Sequence, residues 1–326
     1  MRSKLRCLFA LGVAAKLAST VVAPAALADT TWPTRPVKFI VTLGPASGAD
    51  IEARLFADRL AQRWGQPVVV ENRPGGDGIV AINAFLGARD DHVLLLTPTS
   101  SFTAHPFLHD NLPYKPSDLV PIARLSNTIV AVSVPAALNL DSLDQLVARI
   151  RAEPGKLNWA GVTGALDFLL AGWLQQERLN MTKVAYKNTV DAANDLAENR
   201  VQLYESAFAI VRPQLESGKI KPIAVTNTVR APGLSLPTVA EAGYPALTVD
   251  GLVGLFGPAA MQPELRDRIT SDVRAVADDT IRNRLAATGQ ILNVGSAAEF
   301  AKSIGEQRDQ VAKFAALLGI PPLPQN

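Results

Sequence analysis

Two hydrophobic rhythms alternate along the chain from residue 31 onward. Short, largely apolar runs at 37–42, 68–70 and 93–97 predict buried strands. Between them Ile51, Leu55, Phe56, Leu60 and Trp64 recur at helical spacing, predicting an amphipathic helix over 50–64 that Gly65 ends, and 79–86 predicts a second helix. This βαβαβ order predicts a doubly wound α/β sheet. A polar stretch over 99–106 and a Pro- and Asp-punctuated loop to about 121 follow. A strand at 129–134 then predicts a crossing into a second domain.

The second half repeats the alternation without a sequence repeat of fixed period. Helices are predicted at 143–150, 168–179 and 190–198, and strands at 157–160, 184–186, 201–204 and 223–225. A glycine-rich apolar run at 248–258 reads as a second crossing strand, whose glycines permit a hinge. Everything after it reads as helical, at 264–277, 281–287 and 297–318, packing back on the first domain. The expected domains are therefore 29–131 with 250–326, and 132–249.

The first 28 residues stand apart from this rhythm. Arg2, Lys4 and Arg6 precede a largely apolar region, and Ala26-Leu27-Ala28 is a small-x-small cleavage signal, so a secretory signal peptide cleaved after Ala28 is expected. Lys16 interrupts the apolar region, and no run downstream is long enough to span a bilayer. Export without membrane insertion follows. Cys7, the only cysteine, lies inside the signal, so the mature chain has no disulfide and suits a bacterial periplasm.

Charge adds one exclusion. The chain has 32 basic and 30 acidic residues, but Arg2, Lys4, Arg6 and Lys16 all fall in the signal, where no acid balances them. The mature balance is thus slightly acidic and no basic patch stands out, which argues against nucleic acid as a partner. Any affinity for an anion has to come from local geometry.

Such geometry is expected in the loops that follow the strands, where open α/β sheets bind ligands. In the first half these are 44–50, 72–78 and 98–104; in the second they are 161–167, 187–189 and 205–207. Two facing sets make a clamshell. Gly44, Pro45, Ala46, Ser47 and Gly48 are small, so backbone N–H groups can approach an anion, and the helix behind them adds the positive end of its dipole. Asp50 either contacts ligand or, as its first-turn position favours, answers that dipole while Ser47 caps the helix. Thr97, Thr99 and Ser100 follow the third strand; Thr163, Gly164, Asp167, Asn188, Thr189 and Glu205 come from the second domain.

Other chemistry finds less support. Gly76-x-Gly78-x-x-Ala81 does not directly follow its strand, so a dinucleotide reading is discounted. His92, His105 and His109 are not at metal-ligand spacing with acidic companions, and no metal or cofactor is expected. Ser47 is misplaced for a nucleophile elbow, and only Asp167, Glu205 or His105 offer themselves as catalytic groups, so an enzyme is not expected. Trp159, beside a cleft loop, stays open between core and ligand platform.

Several segments together resemble one family. These are Trp32-Pro33-Thr34-Arg35-Pro36-Val37, residues 41–50, Gly65-Gln66-Pro67 through Asn72-Arg73-Pro74-Gly75-Gly76, Pro154-Gly155-Lys156-Leu157-Asn158, Tyr186-Lys187, and Leu236-Pro237-Thr238-Val239-Ala240-Glu241-Ala242-Gly243. In this order they resemble the Bug family, the substrate-binding receptors of tripartite tricarboxylate transporters. The resemblance implies a two-domain periplasmic binding protein of the Venus flytrap, type II-like kind, each domain a doubly wound mixed sheet flanked by helices. It implies a small carboxylate ligand gripped by the 44–50 loop, membrane transporter subunits as partners, and a monomer. An exported sensor partner of a histidine kinase is the alternative. The chain departs from the family at Ala46-Ser47, where paired glycines are usual. It departs again at Asp167-Phe168-Leu169 and at Glu205-Ser206, where acidic groups stand ready to meet a cationic or hydroxyl group of a ligand.

Overall fold

The computed structural model describes residues 32–324, so the expected signal peptide and its cleavage point lie outside the described residues. The first apolar runs fold as expected. β1 (Val37–Val41) leads into α1 (Gly48–Trp64), then β2 (Val68–Asn72), α2 (Ile79–Ala88) and β3 (Val93–Pro98). Gly65 closes α1 in the left-handed region, its amide bonded to the Ala61 carbonyl. That conformation suits glycine because it has no Cβ to clash.

The chain beyond Pro98 corrects the reading of a long loop. Two short helices, α3 (Thr99–Thr103) and α4 (His105–Leu108), precede a ten-residue strand, β4 (Leu119–Thr128). Its apolar pattern is broken by Pro121, Arg124, Ser126 and Asn127, and tertiary pairing supplies what the pattern lacks. β4 lies between β10 (Gly251–Pro258) and β11 (Gln290–Gly295), completing a mixed six-stranded sheet in the order β11-β4-β10-β3-β1-β2.

Ile129 alone separates β4 from β5 (Val130–Pro135), which belongs to a second sheet. There α5 (Leu143–Ala152), β6 (Asn158–Val162), α6 (Ala165–Gln176), β7 (Thr182–Tyr186), α7 (Thr189–Ala197), β8 (Leu203–Ala207), α8 (Phe208–Glu216) and β9 (Ile220–Val225) follow. The strand order is β7-β6-β8-β5-β9, again mixed. Two departures from the sequence reading stand out. α8 forms despite Pro213 inside it, and β11 interrupts the region expected to be wholly helical, between α10 (Asp279–Ala287) and α11 (Ala297–Leu317). With α9 (Pro263–Val276), α10 and α11 flank the first sheet.

Register decides where the loops go. β1 and β3 run parallel, and β10 runs antiparallel to β3 with Val253 opposite Pro98. Gly251 and Gln290, which begin β10 and β11, both lie opposite Thr128 at the end of β4. One edge of the first sheet therefore carries the carboxyl ends of β1, β3 and β4. In the second sheet Val130 at the start of β5 lies opposite Ala207, and Ala131 lies opposite Val225. The carboxyl ends of β6, β7, β8 and β9 thus share the edge where β5 enters. Since β4 passes directly into β5, these two loop-bearing edges abut.

α11 ties the lobes together. Phe300 near its start sits in the core of the first sheet with Ile40, Leu95 and Phe256, whereas Val311 and Ala315 pack with Ala165 and Phe168 of α6. At the crossing a Cβ on Gly172 would lie 2.2 Å from the Phe314 ring, so only glycine permits this approach. The described residues from Pro33 onward form one compact unit. No helix among the described residues is long and apolar enough to cross a membrane.

Candidate functional site

The loop between β1 and α1 is organised by its own polar groups. Ser47 caps α1, its Oγ accepting from the Asp50 amide at 3.2 Å. Asp50 is buried, and both of its carboxylate oxygens are engaged. Oδ2 accepts from the Ala46 amide at 2.9 Å, while Oδ1 accepts from Asn72 Nδ2 at 2.9 Å and meets Arg54 at 2.9 Å. Burial works to raise the Asp50 pKa, but the hydrogen bonds from Arg54, Ala46 and Asn72 outweigh it and hold the carboxyl below its usual value. The structure thus uses Asp50 as a brace for the loop. Asn72 also donates to the Leu43 carbonyl, tying the second loop to the first.

Three backbone donors of this loop, the amides of Gly44, Gly48 and Ala49, are left without an acceptor. Gly48 and Ala49 are the first two residues of α1, where an amide has no acceptor one turn back. Pro45 has no N–H, Ala46 is given to Asp50, and the Ser47 amide reaches the Gly44 carbonyl at 3.3 Å. What this loop offers an anion is therefore the amides of Gly44, Gly48 and Ala49 and the α1 dipole.

The β3 end behaves differently from its expected role. Thr97 and Thr99 are fully buried; Thr97 Oγ1 lies 2.9 Å from Thr42 Oγ1, and Thr99 Oγ1 donates to Gln307 Oε1 at 2.7 Å. Gln307 also takes a bond from Thr103 and donates to the Asp250 carbonyl, so these hydroxyls lock the loop to α11 and the second crossing. Ser100 stays partly exposed. Sequence reading had no signal for Gln307, because its partners lie some two hundred residues away.

In the second lobe, Gly164 precedes α6 with φ 142°, a conformation that disfavours other residues, and no side chain caps the helix. Thr163 is exposed beside it. Asn188 caps α7, accepting from the Val190 amide, and the Thr189 carbonyl takes the Tyr204 hydroxyl. Asp167 Oδ2 binds Lys183 Nζ at 2.6 Å, and Glu205 is 4% exposed in β8. Trp159 is a core residue, buried with Leu170, Trp173 and Leu203, while Lys183 lies 5.3 Å over its ring.

The two sets of loops meet. Ala104, Phe107 and Leu108 pack with Ala165 and Phe168, the Phe107 and Phe168 rings standing 5.7 Å apart. On the other flank Gln290 touches Gly48, and Gly289 lies close to Ala209 at the start of α8. Gln290 Nε2 donates to Glu52, a fully buried acid whose pKa burial pushes up to about 8 despite hydrogen bonds from Ser126 and Gln290. The sequence reading singled out neither Gln290 nor Glu52, which lie 238 residues apart and meet only in the folded chain. A separate cavity of about 120 Å³ opens at the second crossing, walled by Thr248, Asp250, Gln307 and Gln310. Gln307 and Gln310 tie α11 to the Asp250 and Thr248 carbonyls across it, so it belongs to the second crossing.

The histidines need one correction. His92 does have acidic companions, with ligand atoms of Asp90, Asp91 and His92 within 4.8 Å of one another. Its Nε2, however, accepts from the Thr34 amide, and Asp90 is bound to Arg35, so the group is a terminal clasp for β1. His105 is fully buried between Tyr114 and the Asp77 carbonyl. Burial and the neighbouring His109 lower its pKa to about 4, so it is neutral at pH 7 and has no free edge for catalysis.

Known proteins share this fold. A family model described as the tripartite tricarboxylate transporter family receptor, TctC, matches residues 52–319. Protein BugT of Bordetella pertussis is 31% identical over 257 residues, 76% of this chain and 78% of its own. A UPF0065 protein of Bordetella bronchiseptica is 28% identical over 303 residues, 92% of this chain and 90% of its own. Among solved structures, an R. palustris protein with adipate superposes with a TM-score of 0.74 at 26% identity, over 90% of this chain and 100% of that one. The periplasmic binding protein BugD gives a TM-score of 0.71 at 25% identity over the same shares. Family and fold are those of solute-binding receptors, and the chain belongs to the TctC family, the receptors of tripartite tricarboxylate transporters.

Proposed function

We propose that this chain is a periplasmic receptor that captures a small carboxylate between its lobes and presents it to the membrane subunits of a tripartite tricarboxylate-type transporter. The observation that carries this reading is the pair of unclaimed amides, Gly48 and Ala49, at the head of α1 on an edge that abuts the loops of the second lobe. A carboxylate there meets two N–H donors and a favourable dipole without any fixed cation. The adipate in the R. palustris relative supports that ligand class.

On this reading residues 29–131 with 250–326 form one domain and 132–249 the other, with bending at Ile129 and Asp250. Ser47, Ser100 and Thr163 complete the polar surround. Closure brings Phe168 onto Phe107, so the lobes shut around a ligand that touches both, and only contacts made on both sides shift that equilibrium.

A thermal-shift screen of the purified mature protein against mono- and dicarboxylates, amino acids and aromatic acids tests the reading. A true ligand at 100 times its dissociation constant adds about 2.7 kcal/mol of stability. A flat response across the panel would sink the proposal.

A further inference from the structure

Under the first turn of α6 lies a polar cluster that the protein leaves incomplete. Trp159 pairs with Leu203 and Ala160 with Tyr204, which brings the end of β6 alongside Glu205. Trp159, Leu203 and Val132 face α6, sharing a core with Leu170 and Trp173. Gly161 and Glu205, two residues further along their strands, point the same way. Gly161 offers no side chain, and the space above it is occupied by charged groups. A Cβ there would lie 2.5 Å from Asp167 Oδ1 and 2.3 Å from Lys183 Cε.

Three carboxylate oxygens in this cluster have no donor: Asp167 Oδ1 and both oxygens of Glu205. Lys183 serves only Asp167 Oδ2. Were both acids ionised, two carboxylates against one ammonium would leave one negative charge uncompensated, and an unpartnered buried acid is costly. Burial, and then the neighbouring Asp167, push the Glu205 pKa up to about 8, so in the absence of a partner it holds a proton. As a purely structural element the pair makes poor sense, since an apolar residue at 205 would pack against Leu170 and Trp173 at no electrostatic cost. The cluster lies near the facing loops of the two lobes. It sits one turn past the Thr163–Gly164 loop and two residues before β8 ends at the abutting edge.

We propose that Asp167 and Glu205 form a subsite for a hydrogen-bond-donating group of the ligand, an ammonium or a hydroxyl. The transported solute is then an amino- or hydroxy-carboxylate and not a dicarboxylate. The inference rests on the receptor reading, with the single carboxylate held at Gly48 and Ala49. An ammonium reaching this cluster donates to the three unpartnered oxygens and takes over the charge balance when Glu205 gives up its proton, whereas a second carboxylate brings only more acceptors to a site already rich in them.

Isothermal titration of the purified mature protein compares adipate with the ω-amino and ω-hydroxy acids of the same chain length, and repeats the comparison at shorter lengths. The expected result is that an amino or hydroxy acid binds at least about tenfold tighter than the matching dicarboxylate. Glu205→Gln, which places a donor where an acceptor is needed, reduces that preference about tenfold or more. Lys183→Met changes an exposed residue, frees Asp167 Oδ2 and raises the preference for the amino acid. That opposite sign cannot arise from poor folding, so it decides the matter if Glu205→Gln fails to fold. Tighter binding of the dicarboxylates, with a preference that Lys183→Met does not move, overturns the subsite and leaves the receptor standing. Absence of binding by every carboxylate overturns both.

Discussion

The backbone amide of Ala46 donates to Oδ2 of Asp50 at 2.9 Å, folding the loop after β1 back onto the helix that it precedes. Asp50 thereby holds the loop in the shape that leaves the Gly48 and Ala49 amides unclaimed. Asp50→Ala removes acceptors for Ala46, Asn72 and Arg54 together, and is expected to cost about 1–3 kcal/mol in urea denaturation at neutral pH. The folded pKa lies below the unfolded value of 3.8, so the contribution is present above pH 3.8 and fades as pH falls through the folded pKa. A wild-type-minus-variant difference that persists unchanged into stronger acid would contradict this account.

Ala46 has φ 65°, a region that costs a non-glycine residue about 1–2 kcal/mol. Ala46→Gly relieves that strain but loosens the unfolded chain by about 0.4–1 kcal/mol. The expected outcome is a small net gain in the urea midpoint. A clear loss would mean that the Ala46 methyl makes contacts worth more than the strain.

Glu52 keeps its proton in the folded protein to about pH 8, whereas its reference value is 4.5. Between these limits the unfolded chain gives up a proton that the folded chain retains, so stability declines as pH rises. Glu52→Gln keeps the shape and removes the titration. Its stability relative to wild type should therefore grow as pH rises from 4.5 to about 8, and level off above. Parallel pH profiles for the two proteins would show Glu52 to be ionised in the fold.

Gly172→Ala drives a methyl into the Phe314 ring and is expected to cost about 1–3 kcal/mol. In a Phe314→Ala background the same change should cost much less, because the obstructing ring is gone. A double-mutant cycle read by urea denaturation measures this coupling. Additive costs would place the α6 and α11 crossing elsewhere.

Legibility varied with how local each cause was. The strands at 37–42 and 93–97 and the helix over 50–64 show themselves because their burial follows one period. β4 did not, since Ser126 and Asn127 are polar yet buried by pairing with β10 and β11, partners far along the chain. β11 and α8 hid for related reasons: an edge strand carries a weak pattern, and Pro213 speaks against a helix. At the site, the small residues and the cap at Ser47 were readable from local chemistry. The engagement of Thr97 and Thr99 with Thr42 and Gln307 was not, because hydroxyls look free until their partners are placed.

The sequence alone determined the alternation of strands and helices, the loops at the strand ends, the small-residue turn before α1 and the acids at 167 and 205, because each depends on neighbours a few residues away. Only the tertiary structure decided which amides in that turn stay free, which hydroxyls are already engaged, and that Asp167 and Glu205 share one buried cluster with Lys183. The physical reason is that a polar group's function depends on whether its hydrogen bonds are satisfied, and the partners that satisfy or fail to satisfy them come from distant strands.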